Sequence, residues 1–241
     1  MEKINFIEKL LKAFAQNALE DVIKTESAEG LYEFSRLLTE ANNRFNLTAI
    51  TDDDGIILKH FVDCATVTRH IPTNSKIIDV GCGAGFPSMP IAILRKDISV
   101  TSLDSTAKKI HFINELACEL GLENIKAIAS RAEDHAKTRR EFYDVAISRA
   151  VARLNILDEI CLPLVKVGGR FIAMKSSKGE VEYKEAESGV KLLGGELIEN
   201  KTMTLEHEGE TITREIFIFN KTKHTPSPYP RNYSQILKKP L

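Results

Sequence analysis

The chain lacks a long apolar run, paired cysteines and a large net charge. No stretch approaches the roughly 20 apolar residues that a membrane span needs. The opening MEKINFIEKLLKAF interleaves charges with apolar residues, whereas a signal peptide would be continuously apolar. The four cysteines lie far apart without a CxxC pair, so their spacing suggests neither a zinc site nor a disulfide framework. We therefore expect a cytoplasmic protein with reduced, buried thiols, no bound metal and no membrane partner.

The balance of charge excludes strong overall attraction to nucleic acid. The 33 basic and 34 acidic residues give a formal net charge of −1. Any binding to RNA must therefore come from a local basic patch. The end of the chain offers one, because no acidic residue follows Glu215. The basic residues of this tail are Lys221, Lys223, Arg231, Lys238 and Lys239.

The first 72 residues predict helices that bury one face. Apolar residues recur there at intervals of three and four, the spacing of an amphipathic helix. Asp52, Asp53 and Asp54 precede GIILKHFV, where carboxylates favour a helix start. We expect residues 1–72 to form a helical extension packed on a main domain of residues 73–241. The two apolar stripes consist of Phe6, Leu10, Leu11 and Phe14, and of Leu31, Phe34, Leu37, Leu38 and Ala41.

From Lys76 onward, short apolar runs alternate with helical segments, which is typical of βαβ units around a parallel sheet covered on both faces. The runs GELIENKTMTLE and TITREIFIFNK have too short a connection for a crossover helix and predict an antiparallel hairpin. The predicted fold is α/β, a mostly parallel seven-stranded sheet with a C-terminal antiparallel hairpin, as in methyltransferases. The parallel strands are predicted at 76–80, 99–104, 124–130, 143–150 and 169–175, and the helices at 88–95, 106–120, 154–166 and 179–193.

A glycine-rich loop, GCGAG, follows the first predicted strand and leads into a helix. Gly81, Gly83 and Gly85 allow a tight turn and a close approach to a ligand. A dinucleotide fingerprint would place a small residue where this chain has the bulky Phe86. S-adenosylmethionine carries no phosphate, so its loop needs space rather than an anion cradle. The loop therefore favours S-adenosylmethionine over a nicotinamide cofactor.

The ends of the second and third strands offer further cofactor contacts. Asp104 ends the second strand, where a carboxylate can accept hydrogen bonds from both ribose hydroxyls. The alternative is that Asp104 only starts the following helix. Ala132 and Glu133 follow the third strand and could offer an N–H group and a carboxylate to an adenine edge. The alternative for Glu133 is a solvated helix start.

Eight segments in chain order carry a family resemblance: NLTAI (46–50), KHFVDC (59–64), DVGCGAGFPSMPIAI (79–93), LDSTAKKI (103–110), SRAED (130–134), YDVAISRAVA (143–152), GGRFIAMK (168–175) and YPR (229–231). Together they resemble the bacterial small-subunit rRNA guanine-N7 methyltransferase family, also called the glucose-inhibited division protein B family. The resemblance implies a Rossmann-like class I methyltransferase fold and S-adenosylmethionine as donor. It implies as target one guanine of 16S rRNA near the decoding region.

The resemblance also implies which residues contact the cofactor. They are Gly81 and Phe86 in the loop, the pair Ala132-Glu133, and Arg149. The chain departs from the family at Ser88, where glycine is usual, and in its last segment, RNYSQILKKPL, where glycine and proline are usual. We expect 16S rRNA or the small ribosomal subunit as partner, no DNA, and a monomer.

The residues after the fourth strand bear on the acceptor. Methylation at C5 of a pyrimidine uses a cysteine, commonly after proline, and no cysteine here follows one. Methylation of an exocyclic amine usually shows an Asn/Asp-Pro-Pro-Tyr segment, whereas this chain has Ser148-Arg149-Ala150. Guanine N7 is a lone pair without a proton, so we predict no catalytic base, and catalysis by positioning. A small-molecule or protein methyltransferase, a nicotinamide-dependent dehydrogenase and a non-catalytic RNA-binding assembly factor are the alternatives.

Several cations are candidates for RNA contact, each with a structural alternative. Lys175 is either an RNA contact or a solvated strand end, and Arg149 is either a cofactor contact or a structural ion pair. His60 could share a helical face toward the cleft with Asp63, or be a hydrogen-bonded structural histidine. The RNA-binding candidates are His60, Arg131, Arg139, Arg140, Lys175 and Arg231.

Overall fold

A computed structural model describes residues 1–241, with every side chain except that of Phe45. One seven-stranded sheet has the order β3-β2-β1-β4-β5-β7-β6. The first five strands pair in parallel, and β7 pairs antiparallel with both β5 and β6, which confirms the predicted sheet and hairpin. The strands are β1 (Lys76–Val80), β2 (Ser99–Asp104), β3 (Ile125–Ala129), β4 (Tyr143–Arg149), β5 (Val165–Lys175), β6 (Gly195–His207) and β7 (Glu210–Lys221).

Ten α-helical elements, some only one turn long, surround the sheet. A π-helical segment, Ile57–Val62, joins the third to the fourth. None of the helices in the part of the chain described above is long and apolar enough to cross a membrane. The helices are α1 (Lys3–Gln16), α2 (Thr25–Phe45), α3 (Asp53–Ile56), α4 (Asp63–Ala65), α5 (Ser88–Leu94), α6 (Ala107–Glu119), α7 (Ala132–Arg139), α8 (Leu154–Cys161), α9 (Gly179–Leu192) and α10 (Tyr233–Lys238).

Two details of the predicted elements are corrected. The predicted helix over 154–166 is too long, because α8 ends at Cys161 and a 3-10 turn containing Pro163 follows. Proline cannot donate a helical hydrogen bond, and Val165 already pairs with Tyr143, so β5 starts four residues earlier than predicted. The helix α10 was not predicted.

The N-terminal helices share a core with the sheet. Phe34 of α2 is fully buried, and its ring lies 5.1 Å from that of Phe86 after β1 and 5.7 Å from that of Phe61. The predicted stripes are fully or partly buried except at Leu11, which is 37% exposed on the outer side of α1. One continuous apolar cluster therefore joins the extension to one face of the sheet. The division at residue 72 stays a prediction.

A second apolar cluster covers the opposite face. It contains Ile78, whereas its neighbour Ile77 belongs to the first cluster, as expected for successive residues of a strand. The helices α7, α8, α9 and α10 contribute to it. The sheet is thus covered on both faces, as the unbroken apolar runs predicted.

Three of the four cysteines are buried, but Cys118 is exposed on α6, which corrects the prediction of buried thiols. Cys118 sits near the end of α6, outside the apolar stripe that packs on the sheet. No group of three or more potential metal ligands occurs within the described residues.

The shared core predicts the effect of truncating Phe34. Phe34→Ala should lower the free energy of unfolding by about 3–5 kcal/mol, because it removes a buried ring and leaves a cavity. Urea titration followed by circular dichroism measures this. Leu11→Ala, at a partly exposed site, is the control and should change stability by less than about 1 kcal/mol. If the N-terminal helices of Phe34→Ala unfolded in a separate transition at lower urea, and the main domain stayed as stable as in wild type, the extension would fold independently.

Candidate functional site

Two adjoining cavities lie at the carboxyl ends of β1, β2 and their neighbours. The larger has a volume of about 340 Å³ and the smaller about 120 Å³, and both are lined by Gly81, Asp104 and Val151. A still larger cavity, about 690 Å³, lies beside the loop before β2, at the opposite end of the sheet. Open α/β sheets bind ligands beyond the carboxyl ends of their strands, so the two adjoining cavities form the candidate site.

The glycine loop turns by left-handed backbone at all three glycines. The φ angles of Gly81, Gly83 and Gly85 are +78°, +57° and +96°. A side chain at Gly81 would collide with Val151, and one at Gly85 would come within 2.7 Å of Met89. At Gly83 nothing lies within 4 Å of the site of a Cβ, so this glycine keeps space open beside the larger cavity.

Asp104 has the helix-starting role that the sequence offered as the alternative, and its contact with the ribose stays a prediction. Its Oδ2 accepts a hydrogen bond from the amide of Gly83 (3.1 Å), and its Oδ1 accepts one from the amide of Thr106 (2.8 Å), the N-cap residue of α6. Each carboxylate oxygen can accept a second hydrogen bond. Asp104 therefore fixes the loop and the helix start, and still faces both cavities.

Asp79, beneath the loop, was not singled out from the sequence. Its side chain is fully buried, its Oδ2 accepts a hydrogen bond from the amide of Ser88 (3.0 Å), and its Oδ1 has no partner among the described residues. Burial raises the pKa of Asp79 to about 7. The bond from Asp79 ties the end of β1 to the start of α5. The acidic residue that ends an otherwise apolar strand was the available signal.

The ring of Phe86 points away from the ligand space and into the protein. It stacks between Phe34 and His60, whose ring centroid lies 4.0 Å away at an interplanar angle of 14°. The guanidinium of Arg149 lies 5.3 Å from the same ring. Phe86 is only 5% exposed, so its side chain fixes the loop to the N-terminal helices while the residue still borders the larger cavity.

Arg149 forms a structural ion pair, the alternative that the sequence allowed. It donates to Asp63 Oδ2 (3.0 Å) and to the carbonyl of Lys59 (2.9 Å). Asp63 is 1% exposed and also pairs with Arg214 of β7 (3.1 Å). His60 and Asp63 both contact Arg149, as expected if the two side chains lie on the same helical face. Arg149 also lines the larger cavity, and its contact with a cofactor stays a prediction.

The hydrogen bonds around His60 have a fixed direction. Arg149 can only donate, so Nδ1 of His60 (3.3 Å) accepts and Nε2 carries the proton, which it donates to Thr48 Oγ1 (3.1 Å). Burial lowers the pKa of His60 to about 3, so the ring is neutral. Thr48 Oγ1 also accepts from the amide of Ile50. The hydroxyl proton of Thr48 has no acceptor in the described part of the chain. Thr48 lines the larger cavity.

The smaller cavity lies beside the start of α7. Ala132, Glu133 and Arg131 line it, and so does Tyr233 of α10. Glu133 Oε1 accepts a hydrogen bond from the amide of Tyr233 (3.2 Å), and the guanidinium of Arg131 lies 5.2 Å from the Tyr233 ring. Glu133 therefore both belongs to a helix start and faces the cavity. Tyr233 was missed, because nothing in the local sequence indicates where the tail folds.

Three of the RNA-binding candidates are engaged within the protein, which corrects their prediction. Lys175, 9% exposed, pairs with Glu182 of α9 (2.7 Å) and donates to the carbonyl of Ala152, because α9 covers the end of β5. It is therefore neither solvated nor free for RNA. Arg231 pairs with the fully buried Glu159.

Arg140 donates to backbone carbonyls of the tail at Thr225, Pro226 and Tyr229, so it holds the tail in place. His60 is 6% exposed and bonded on both ring nitrogens, which supports its structural alternative. Arg131 is an exposed cation that lines the smaller cavity, whereas Arg139 is exposed at the far end of α7, where its guanidinium lies 4.9 Å from the Phe142 ring.

Comparison with known proteins gives a consistent result. Residues 27–212 match the family described as rRNA small subunit methyltransferase G. The chain is 44% identical over 242 residues to "Ribosomal RNA small subunit methyltransferase G" of Staphylococcus haemolyticus, covering 99% of each chain. It is 47% identical over 212 residues to the Staphylococcus aureus protein of the same name, covering 86% of this chain and 87% of that one.

Solved structures with a similar fold include M. jannaschii TYW2 in complex with AdoMet (TM-score 0.53, 16% identity, 66% of this chain and 74% of that one). P. horikoshii TYW2 in complex with MeSAdo is also similar (TM-score 0.54, 14% identity, 66% of this chain and 62% of that one). At these identities the likeness concerns the fold alone.

The buried Asp79 predicts a pH dependence of stability. Its pKa rises on folding from the ordinary 3.8 to about 7, so the stability linked to its protonated form is complete below pH 4 and is lost as the pH rises to 7. Asp79→Asn keeps an oxygen for the amide of Ser88 but has no charge to bury. The free energy of unfolding of the variant minus that of wild type should rise by about 1–3 kcal/mol between about pH 5 and pH 8.

Chemical denaturation at both pH values measures this difference. Asp97→Asn is the control, since Arg95 holds the pKa of that exposed carboxyl below its ordinary value and it stays ionised throughout the window. A constant difference between Asp79→Asn and wild type would show that Asp79 is ionised in the folded protein throughout this window.

Proposed function

Because the chain belongs to the rRNA small subunit methyltransferase G family, we propose that it methylates N7 of one guanine in 16S rRNA, in a loop near the decoding region. The chain is an S-adenosylmethionine-dependent methyltransferase of small-subunit rRNA. The guanine, its N7 atom and the region of the rRNA are the finer steps of the proposal. The observation that supports guanine N7 is a cavity with a free hydroxyl donor, in which His60 is a poor base and Cys82 a poor nucleophile, while the region of the rRNA rests on the family resemblance.

The two cavities suit S-adenosylmethionine. Asp104, which both cavities share, would accept the ribose hydroxyls. The open space at Gly83 admits a ligand that any larger residue would restrict. Ala132 and Glu133 would border the adenine in the smaller cavity. When bound, the cofactor supplies the methyl group on a sulfonium, and the surrounding residues only bind and orient it.

Of the groups that border the larger cavity, Asp104 already accepts from two backbone amides and is assigned to the ribose, and neither His60 nor Cys82 can act on the acceptor base. His60 borders the cavity, but with a pKa of about 3 and Nδ1 occupied by Arg149 it is a poor base. Cys82 also borders it, yet burial raises its thiol pKa far above neutrality, which prevents action as a nucleophile. Guanine N7 needs neither a base nor a nucleophile, which favours it over an exocyclic amine or C5 of a pyrimidine.

The donors at this cavity suit the guanine edge. In its Hoogsteen edge guanine presents two acceptors, O6 and N7. The hydroxyl of Thr48 has a proton to donate, and a donor placed on O6 leaves N7 free for the methyl group. Holding acceptor, methyl carbon and sulfur in line can contribute roughly 7–11 kcal/mol to lowering a barrier.

We further propose that the protein acts as a monomer in the cytoplasm, on 16S rRNA or the small subunit, and not on DNA or membranes. Among the described side chains, the large apolar ones that are exposed are scattered over several elements and form no single apolar interface. Arg131 beside the smaller cavity and Arg139 at the far end of α7 are exposed cations that we propose for phosphate contact.

The acceptor assignment predicts one chemical signature. N7-methylguanosine carries a fixed positive charge that makes the nucleotide sensitive to reduction and aniline. After incubation with the protein and S-adenosylmethionine, 16S rRNA and small subunits should be cut at a single guanine by this treatment. RNA incubated without the cofactor should stay intact. Methyl label on adenine, cytosine, protein or a small molecule would contradict the proposal.

The exposed Arg139 predicts a change in the salt dependence of RNA binding. Arg139→Ala should flatten the slope of log affinity against log salt by about 0.7–0.9, the contribution of one neutralised phosphate. Filter binding across a salt series measures the slope. Lys184→Ala removes an exposed cation of α9 and is the matched control, with no expected change. An unchanged slope for Arg139→Ala would remove Arg139 from the RNA interface.

A further inference from the structure

The C-terminal segment after β7 returns to the carboxyl ends of the strands. Arg140 binds three carbonyls of this segment, and Glu141 accepts from the amide of Thr225 (2.8 Å). At its far end Ile236 of α10 is fully buried in the cluster that also contains Ile160 of α8. The segment is therefore docked along its length.

The contact nearest the site is an unusually complete ion pair. Glu159 is fully buried. Its carboxylate accepts three hydrogen bonds from Arg231, from the backbone amide (2.9 Å), from Nε (2.8 Å) and from a terminal guanidinium nitrogen (2.5 Å). Removing one partner of a buried pair leaves an uncompensated charge, so the backbone at Arg231 is held strongly. Tyr233 follows two residues later, after Asn232, which caps α10 by accepting from the amide of Gln235.

This docking places Tyr233 on the wall of the smaller cavity. Its amide donates to Glu133, and its ring lies beside Arg131. Ile160, Ala132 and Leu103 form apolar parts of the same lining. The cavity thus combines an aromatic ring with apolar side chains, a surface suited to a flat heteroaromatic base.

The position of Asp104 determines which part of a nucleoside ligand meets Tyr233. With the ribose at Asp104, the adenine and the methionine part of S-adenosylmethionine point in different directions from the sugar. The larger cavity beside Gly83 accepts the long amino-acid part, so the base enters the smaller cavity, which Tyr233 borders.

We propose that the C-terminal segment completes the cofactor site and that Tyr233 contacts the adenine base of S-adenosylmethionine. The proposal rests on the proposed function, since it takes S-adenosylmethionine as the ligand. It assigns a role to RNYSQILKKPL, the segment in which this chain departs from its family. Because Glu133 and Tyr233 are joined, cofactor binding and docking of the segment stabilise each other.

Calorimetry of the full chain tests this with S-adenosylmethionine and with adenosine. Tyr233→Ala should raise the Kd for both ligands by about tenfold, as expected for the loss of one base–aromatic contact. Tyr233→Phe should bind like wild type, because the ring and the backbone amide remain. Lys238→Ala, an exposed change on the same helix, is the matched control and should also bind like wild type.

An equal rise in Kd for S-adenosylmethionine and adenosine in Tyr233→Ala would show that Tyr233 contacts the nucleoside part, as proposed. Wild-type affinity in Tyr233→Ala, together with weakened binding in Asp104→Ala, would overturn the role of Tyr233 and leave the proposed function standing. A loss for S-adenosylmethionine but not for adenosine would also overturn it. Failure of wild type to bind S-adenosylmethionine would overturn the proposed function itself.

Discussion

The carboxylate of Asp63 is the contact on which the site depends. It is buried and pairs with Arg149 at the end of β4 and with Arg214 of β7. A buried carboxylate is stable only while such partners remain, so three distant parts of the chain are held at one point. Arg149 then bonds His60, and His60 stacks on Phe86 of the glycine loop. The N-terminal helices are therefore part of the site's wall, and not merely an addition to the sheet.

A second buried carboxylate, that of Glu159, holds the C-terminal segment in place. Glu159 holds Arg231 as Asp63 holds Arg149, and both acids lie on helices that border the carboxyl ends of the strands. The two ends of the chain thus approach the same edge of the sheet from opposite faces. The glycine loop and Asp104 form the floor between them. A fold shared with many methyltransferases becomes particular to this chain through the residues at its termini.

The sequence was informative wherever the signal was local. Strand runs, the glycine loop and acidic strand ends such as Asp104 follow from adjacent residues, and the predicted sheet and hairpin are confirmed. The sequence was uninformative about which cations are free. Lys175 and Arg231 pair with Glu182 and Glu159, which lie on other elements, and no periodicity reveals such pairs. Tyr233 escaped for the same reason, since its place depends on how the whole tail docks.

The proposed acceptor gives these buried links a mechanistic meaning. A lone pair attacks a methyl group without proton transfer, so the protein contributes mainly by fixing distances and directions. A fixed geometry requires rigid side chains around the cavity, and exposed ion pairs would be too weak to hold them. The Asp63 pair is buried and joined to a neutral histidine whose hydrogen bonds have only one possible direction. That direction leaves the Thr48 proton available to the cavity, so the packing of the cavity wall determines which donor the acceptor base would meet.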